Sequence, residues 1–413
     1  MRSERGVRGT LIALLLVLPL GCDRERGGDG WSAAVDTAGD VIRVVNTPPV
    51  TGAAPTLVGV EELRIGTVEG DGATSFGLIR SIAVLQDGRV AVADGQAEEV
   101  RLFDREGRHV RTMGGAGAGP GELQGLQGVY VDHQGLLRVP ESRNARLSIF
   151  DPDSGFVDSY PLQLYTTRGM GPWMAAVDSV GRTFVASSGP FGVGRYWNML
   201  RIYDATMTQL DSVPYHDYTD EIMRDYPGVW RIPLGNRGFA TVMVPFYAQE
   251  QQALSPTGEF WSSAGGQREL SIARWTPPGD TALVFQSGRR PSPLTAAERD
   301  SAIADISTRL GEQIPNLPEL DASRIPSIKP PLFGLSLDDR GRVWVRITQP
   351  GISTTTYDVF NGDGTHAETV DLPFGIDGWI PPLVRGDTLW AVVTDETEVQ
   401  YVVKAQLRPP NDS

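Results

Sequence analysis

The sequence predicts an all-β chain folded as a six-bladed β-propeller of four-stranded antiparallel blades, and three observations carry that expectation. A turn ending in or beginning with Gly, followed by alternating apolar residues, recurs six times. Where nothing is inserted, the recurrences stand 46 or 47 residues apart. A second phrase, two apolar residues and then Asp or Asn, follows four of these turns after about a dozen residues. Four strands at a period of 40–50 residues are the pattern of a propeller blade.

The first phrase reads Asp87-Gly88-Arg89-Val90-Ala91-Val92, Gln134-Gly135-Leu136-Leu137-Arg138-Val139 and Val180-Gly181-Arg182-Thr183-Phe184-Val185. It returns as Thr257-Gly258-Glu259-Phe260-Trp261-Ser262, Arg340-Gly341-Arg342-Val343-Trp344-Val345 and Gly386-Asp387-Thr388-Leu389-Trp390-Ala391. Gly supplies the positive φ of a tight hairpin, and the period-2 run after it reads as a strand. The second phrase is Leu102-Phe103-Asp104, Ile149-Phe150-Asp151, Ile202-Tyr203-Asp204 and Val359-Phe360-Asn361, with Gly107, Gly155 and Gly364 marking a second hairpin in three of them. Each unit is therefore strand, Gly turn, strand, loop, strand, turn, strand.

Leu63-Arg64-Ile65-Gly66 echoes Arg111-Thr112-Met113-Gly114, so residues 61–66 form an outermost strand with no blade before it. Its expected place is on the last blade, whose chain runs out after Val403, which closes the ring and protects the blade edges. Two longer gaps, Gly181 to Gly258 and Gly258 to Gly341, predict insertions at about 213–245 and 286–331. In the second, Thr295 and Glu298 make a capping box, and Ile303, Ile306 and Leu310 recur at helical spacing. The first opens with Tyr215-His216-Asp217-Tyr218-Thr219-Asp220-Glu221, read as an acidic, aromatic loop. The single propeller domain is expected over residues 36–408, with a disordered tail at 409–413.

The N-terminus carries Arg2, Arg5 and Arg8, then an apolar run from Leu11 to Leu20 ending at Gly21-Cys22, the only cysteine. A run of about 10 residues is too short to span a bilayer, which takes roughly 20. Charged start, short apolar core and small residue at the break read as an export signal over residues 1–21. The Gly-Cys junction resembles a bacterial lipoprotein signal, with Leu18 four residues before Cys22 and Pro19 three before. The resemblance implies lipid on Cys22, a flexible tether over 22–35, and a membrane-anchored place outside the cytoplasm, in the periplasm or on the cell surface. An ordinary secretory signal cleaved nearby, or an uncleaved anchor, is the alternative.

The run Met113-Gly114-Gly115-Ala116-Gly117-Ala118-Gly119-Pro120-Gly121-Glu122 resembles the inter-blade segment of NHL-type propellers. Gly341-Arg342-Val343-Trp344-Val345, after Lys329-Pro330-Pro331, is similar to bacterial six-bladed propeller lipoproteins. This resemblance implies the fold and is nearly silent on activity.

The formal charge is −14, and residues 1–21 hold three Arg and one Glu, so the chain from Cys22 onward carries −16. Such a surface repels phosphate backbones and excludes nucleic acid as a partner. The loop 114–121 contains no phosphate-binding glycine pattern in register and reads as a blade linker. No Gly-x-Ser-x-Gly elbow is present, and the four His stand apart. His109, His133 and His366 are expected on the surface, while His216 lies in a loop that folds over the channel. Trp261, Trp344 and Trp390, with Phe184, share one strand position and are expected to pack between blades.

Propeller loops between strands two and three converge on the channel mouth. There the sequence places Asp94, Gln96 and Glu98, Glu141, Arg143 and Asn144, Arg195 to Trp197, Gln267 and Arg268, Gln349, and Asp395 with Glu396. The expected ligand-binding set is Asp94, Glu141, Arg143, Asn144, His216, Gln349 and Asp395. Carboxylates and an amide from separate blades suit Ca²⁺, which takes many oxygen ligands. The expected role is a binding platform for a protein, peptide or glycan of the cell envelope. The alternative is a metal-assisted hydrolase or lactonase at the channel mouth, although no stretch matches the ligand pattern of gluconolactonase-type propellers.

Overall fold

The computed structural model describes residues 23–410 apart from 27–29, 51, 53, 69–71, 163–174, 179, 189–194, 220–225, 235–237, 256, 264–265, 277–279, 315–316 and 348–352. The signal segment, Cys22, Gln349 and the last three residues therefore lie outside the described residues.

The described chain folds into successive antiparallel meanders. The first sheet is Ile79–Val84, Val90–Asp94, Glu99–Phe103 and His109–Gly114, hydrogen-bonded in chain order. The second is Tyr130–Val131, Leu137–Glu141, Arg146–Asp151 and Gly155–Pro161, and the third is Ala175–Val177, Thr183–Ser188, Arg195–Tyr203 and Gln209–Thr219. The fourth meander runs Gln252–Leu254, Phe260–Ser263, Leu270–Thr276 and Asp280–Ser287, and the fifth Gly334–Leu337, Val343–Arg346, Thr355–Phe360 and His366–Leu372. In the sixth, Leu383–Arg385, Thr388–Thr394 and Gln400–Arg408 take their fourth strand from the other end of the chain, Leu57–Ile65.

That last pairing is antiparallel, with Ile65 opposite Val402, Arg64 opposite Val403 and Val58 opposite Arg408. The start of the same strand also pairs in parallel with the fifth sheet, Leu57 to Val370 and Val58 to Asp371. Apolar clusters join neighbouring sheets in series. Leu102, Leu123, Leu137 and Phe150 link first to second, and Leu147, Val185 and Tyr203 link second to third. Phe184, Leu200 and Phe260 link third to fourth, and Trp261, Phe285, Val343 and Phe360 link fourth to fifth. Trp344, Val359, Leu389 and Val403 link fifth to sixth, and Ile82, Val92, Trp390 and Val402 link sixth to first. Trp261, Trp344, Trp390 and Phe184 are all buried in these junctions.

One five-residue turn closes most hairpins. In Asp132-His133-Gln134-Gly135-Leu136, the Asp132 carboxylate accepts from Gln134 N and Leu136 N at 2.9 and 3.0 Å. Gly135 sits at φ +82°, where an L side chain is strained. Asp178 and Asp338 repeat the arrangement at Gly181 and Gly341, and each also holds the arginine four residues on, at 2.7 and 2.6 Å. Much of the chain's acidity is thus spent inside turns, where a carboxylate mimics a backbone acceptor.

Two expectations are corrected. The segment 22–35 is not a plain tether: Asp23–Arg26 and Ser32–Asp36 are antiparallel strands, and Ile42–Thr47 joins them in parallel to Asp280–Ser287. The fourth sheet thereby grows to seven strands, and Trp31 and Ala33 are buried against it. His366 is not a surface residue. Its ring is buried, stacked on Trp31 with centroids 3.9 Å apart, because the N-terminal strands cover a position that would otherwise face solvent. His109 and His133 are exposed.

Candidate loop-face site

Among the described residues, the loops after second strands and the connections between sheets lie at the same end of the antiparallel meanders, where most of the predicted set falls. Asp94 ends the second strand of the first sheet and is buried. Its Oδ1 accepts from the backbone N–H of Leu78, Gln96 and Ala97 at 3.0–3.2 Å, and Oδ2 from Gly77 at 3.0 Å. Arg101 completes the shell at 3.5 Å. Glu141, at the equivalent strand end of the second sheet, is fully buried. Oε1 accepts from Arg146 Nε at 2.9 Å and Ser148 Oγ at 2.5 Å, and Oε2 from Gln124 N at 3.0 Å and Asn144 Nδ2 at 2.6 Å.

These two carboxylates staple the segment entering a sheet to that sheet's second strand. Ser263 does the same in the fourth sheet, accepting from Gln251 N at 2.8 Å. Arg346, at the end of the fifth sheet's second strand, instead holds the segment that leaves the sheet for the sixth, donating to the carbonyls of Ile376 and Asp377 at 2.7 and 3.1 Å. Burial lowers the pKa of this guanidinium from its ordinary value. The carboxylate oxygens of Asp94 and Glu141, expected to face a ligand, thus accept from the protein itself, and Asn144 Nδ2 donates to Glu141 and to Gly117 O. A carboxylate that already accepts four hydrogen bonds has little left to offer a cation.

Asp395 is a turn residue of the same kind. Its carboxylate accepts from Thr397 Oγ1 at 2.7 Å, Val399 N at 3.0 Å, Tyr401 OH at 2.9 Å and Thr397 N at 2.8 Å. Led by the Thr397 hydroxyl, these bonds pull its pKa down to about 2. Arg143 is exposed at the tip of its loop. His216 lies in the outermost strand of the third sheet, opposite Asn198, and not in a loop; its side chain is outside the described residues, as is Gln349. Among the described residues, no three His, Cys, Asp or Glu side chains gather as a metal site.

The two insertions do come together. The first contains a hairpin, Val229–Pro233 with Phe239–Met243, and the second a helix, Ala296–Gly311, with the predicted capping box of Thr295 and Glu298. Trp230, Ile232 and Val244 of the first pack with Leu294, Leu320 and Ile325 of the second, and Ile303, Ile306 and Leu310 of the helix lie against them. Trp230 Nε1 donates to Asp321 O at 3.0 Å, and Arg324 donates to Val229 O. Gln267, on the strand-two-to-three loop of the fourth sheet, fastens this cap to the body. Its Oε1 accepts from Ala248 N at 2.9 Å, and its Nε2 donates to Phe246 O at 2.9 Å and Ile328 O at 2.8 Å.

At the base of the cap, Tyr226 and Tyr247 stand nearly perpendicular, at 74°, with ring centroids 5.5 Å apart. Burial, then Tyr247 and then the Glu250 charge raise the Tyr226 phenol above its ordinary value. Reading the sequence for charged loop tips passed over this pair. Its signal was an aromatic on each flank of the hairpin Val229–Met243, Tyr226-Pro227-Gly228 and Phe246-Tyr247.

No protein-family model and no curated protein matches the sequence. Among solved structures, a member of the DUF4221 family from Bacteroides vulgatus superposes with TM-score 0.51 at 10% identity, over 86% of this chain and 100% of that one. A Bacteroides fragilis protein classed as a candidate for export gives TM-score 0.48 at 10% identity, covering 89% and 99% of the two chains. A gluconolactonase from Xanthomonas campestris gives 0.39 at 12% identity, over 84% and 98%. No helix among the described residues is long and apolar enough to cross a membrane. At this level of identity the likeness concerns the fold alone: this chain is an all-β protein similar to propeller-type proteins.

Proposed function

We propose that the chain is a six-bladed β-propeller, anchored outside the cytoplasm by lipid on Cys22, that serves as a binding platform for an envelope protein, peptide or glycan. Six meanders joined in series by apolar clusters, with a sixth-to-first cluster among them, support the closed ring. The pairing of Leu57–Ile65 with Gln400–Arg408 supports the closure at the termini. The observation that carries the binding role is the cap: two insertions, about 90 residues apart in sequence at Trp230 and Asp321, share one core on the loop face. Loops that only joined blades would not need a core of their own. The occupied oxygens of Asp94 and Glu141 weigh against metal-assisted hydrolysis at those positions.

The test is crosslinking of the anchored chain in its own envelope, followed by purification and identification of the bound partner. The wild type should retain a partner that a Gln267→Ala variant, with its cap unfastened, loses. Mass spectrometry should find acyl chains on Cys22, and a chelator should leave the melting temperature unchanged. Capture of no partner by the wild type, or a chelator-induced drop of several degrees, would displace this reading in favour of the enzyme, and equal capture by both variants would overturn the cap as the binding element.

A further inference from the structure

We infer that the outer strand of the first sheet, His109–Gly114, takes up an extended peptide as a further strand, one bearing an acidic residue and, two positions on, an apolar one. The site lies on the first and second sheets, apart from the cap, and goes beyond the platform reading above. An outer strand is an open edge unless the chain blunts or covers it. The second and third sheets blunt theirs with Pro161 and Pro214, which lack the N–H a further strand needs. The fourth is covered by Ile42–Thr47 and the fifth is met by Leu57 and Val58, both in parallel. Among the described residues, the first sheet alone ends its meander in a strand with neither proline nor cover.

The register shows which groups that edge offers. Gly115 N donates to Glu98 O at 2.9 Å, so the bonded pairs are Met113 with Val100 and Arg111 with Leu102. The N–H and C=O of Thr112 and Gly114 therefore point away from the sheet. Open space adjoins them: a groove of about 290 Å³ lies between this strand and Gly121, Phe150 and Phe156 on the second sheet's side. Met113 packs toward the second sheet, and Arg111, two residues before it, shares that face. An added strand would send alternate side chains into the groove, one beside Arg111 and the next beside Met113 and the half-exposed Phe156. A Cβ on Gly155 would stand 3.4 Å from Arg111 Nη1, which puts the guanidinium at the groove's hairpin end. Arg89 and Arg108 nearby are engaged by Asp87, Asp153, Asp104 and Glu106, whereas Arg111 has no ion pair among the described residues. The neighbouring Asp151 carboxylate accepts from the N–H groups of Asp153 and Ser154. Arg111 thus calls for an acidic side chain and the aromatic wall for an apolar one. Both strands that the chain adds to its own outer edges run parallel, and a parallel peptide places the acid first.

The experiment is fluorescence anisotropy of a labelled, capped octapeptide, Ser-Thr-Glu-Thr-Leu-Thr-Ser-Gly, titrated with the chain from residue 22 onward. That peptide should bind, and one with Lys in place of Glu should bind roughly tenfold more weakly. Arg111→Glu should reverse the preference, a swap that a merely structural arginine would not produce. Thr112→Pro removes an outward N–H and spares the inner ladder, so it should weaken binding roughly tenfold while unfolding stays cooperative. Exchanging Glu and Leu in the peptide should also weaken binding, because leucine then meets the guanidinium. Should Thr112→Pro fail to fold, the Arg111→Glu titrations decide. No binding to the wild type, an unreversed preference in Arg111→Glu, or equal affinity for the exchanged peptide would overturn the proposal. So would sedimentation showing a self-associating wild type and a monomeric Thr112→Pro, which would give the edge to a second copy of the chain.

Discussion

At the scale of single residues, the informative feature is how completely the strand-end carboxylates are used. Glu141 sits in a fully buried position with its oxygens shared among Arg146, Ser148, Asn144 and the Gln124 amide. Removing one partner of a buried ion pair leaves the other charge unpaired and costs about 3–5 kcal/mol. Glu141→Ala should therefore lose about that much stability in denaturant titration while leaving ligand affinity per folded molecule unchanged. A ligand-binding Glu141 would behave the opposite way. Asp395 gives a pH prediction. Its pKa is depressed to about 2, against about 3.9 in an unfolded chain. A depressed carboxylate contributes stability in full above the unfolded value and loses it as pH falls toward the folded one. Amide exchange in the hairpin between Thr388–Thr394 and Gln400–Arg408 should quicken between about pH 4 and pH 2, and Asp395→Asn should flatten that response.

Single elements explain the cap. The helix Ala296–Gly311 is amphipathic, and the Thr295 hydroxyl accepts from Glu298 N at 3.2 Å while Glu298 accepts from Thr295 N at 3.0 Å. Glu298 also pairs with Lys329, and the Lys329 hydrogen bond leads the causes that pull its pKa down to about 2. No residue of the helix is fully buried, so its place depends on the half-buried Ile303, Ile306 and Leu310 meeting the hairpin of the other insertion. Gln267→Ala deletes three hydrogen bonds between this unit and the body. At about 1 kcal/mol net for each bond, the cap should detach locally by about 3 kcal/mol. Limited proteolysis should then cut the insertions faster by tenfold or more, with the main thermal transition shifted only slightly.

For the whole molecule, the two N-terminal stretches carry different weight. Leu57–Ile65 bonds to strands from two sheets, and Glu62 pairs with Lys404 and Arg408 at 3.2 and 3.1 Å. Deleting residues 57–65 strips the sixth sheet of its outer strand and bares an edge. That deletion should abolish cooperative unfolding and give aggregated protein. Residues 23–47 extend the fourth sheet outward and touch the fifth through Trp31 on His366 and through Asn46, which bonds Gly364 O and His366 N, but they bridge no two ends of the chain. Their deletion exposes Trp31, Val44 and His366 contacts yet should leave one cooperative, lower-melting transition by calorimetry. If both deletions melted alike, the terminal strand would have no special part in holding the molecule together.

The sequence by itself determined what acts over a few residues. The Gly turns, the alternating strands and the capping box are legible because a five-residue hairpin or a helix N-terminus contains its own donors and acceptors. The matching of residues 61–66 to the chain's end was legible too, since a strand pattern with no partner nearby must find one elsewhere. Only the tertiary structure decided the fate of the polar residues. Asp94 meets the amides of Gly77 and Leu78 from a different loop, and Gln267 meets Ile328 across 61 positions. In the sequence, a carboxylate that binds a ligand and one that binds backbone amides look the same. Which of the two it becomes depends on the donors that folding brings within 3 Å, and those come from distant parts of the chain.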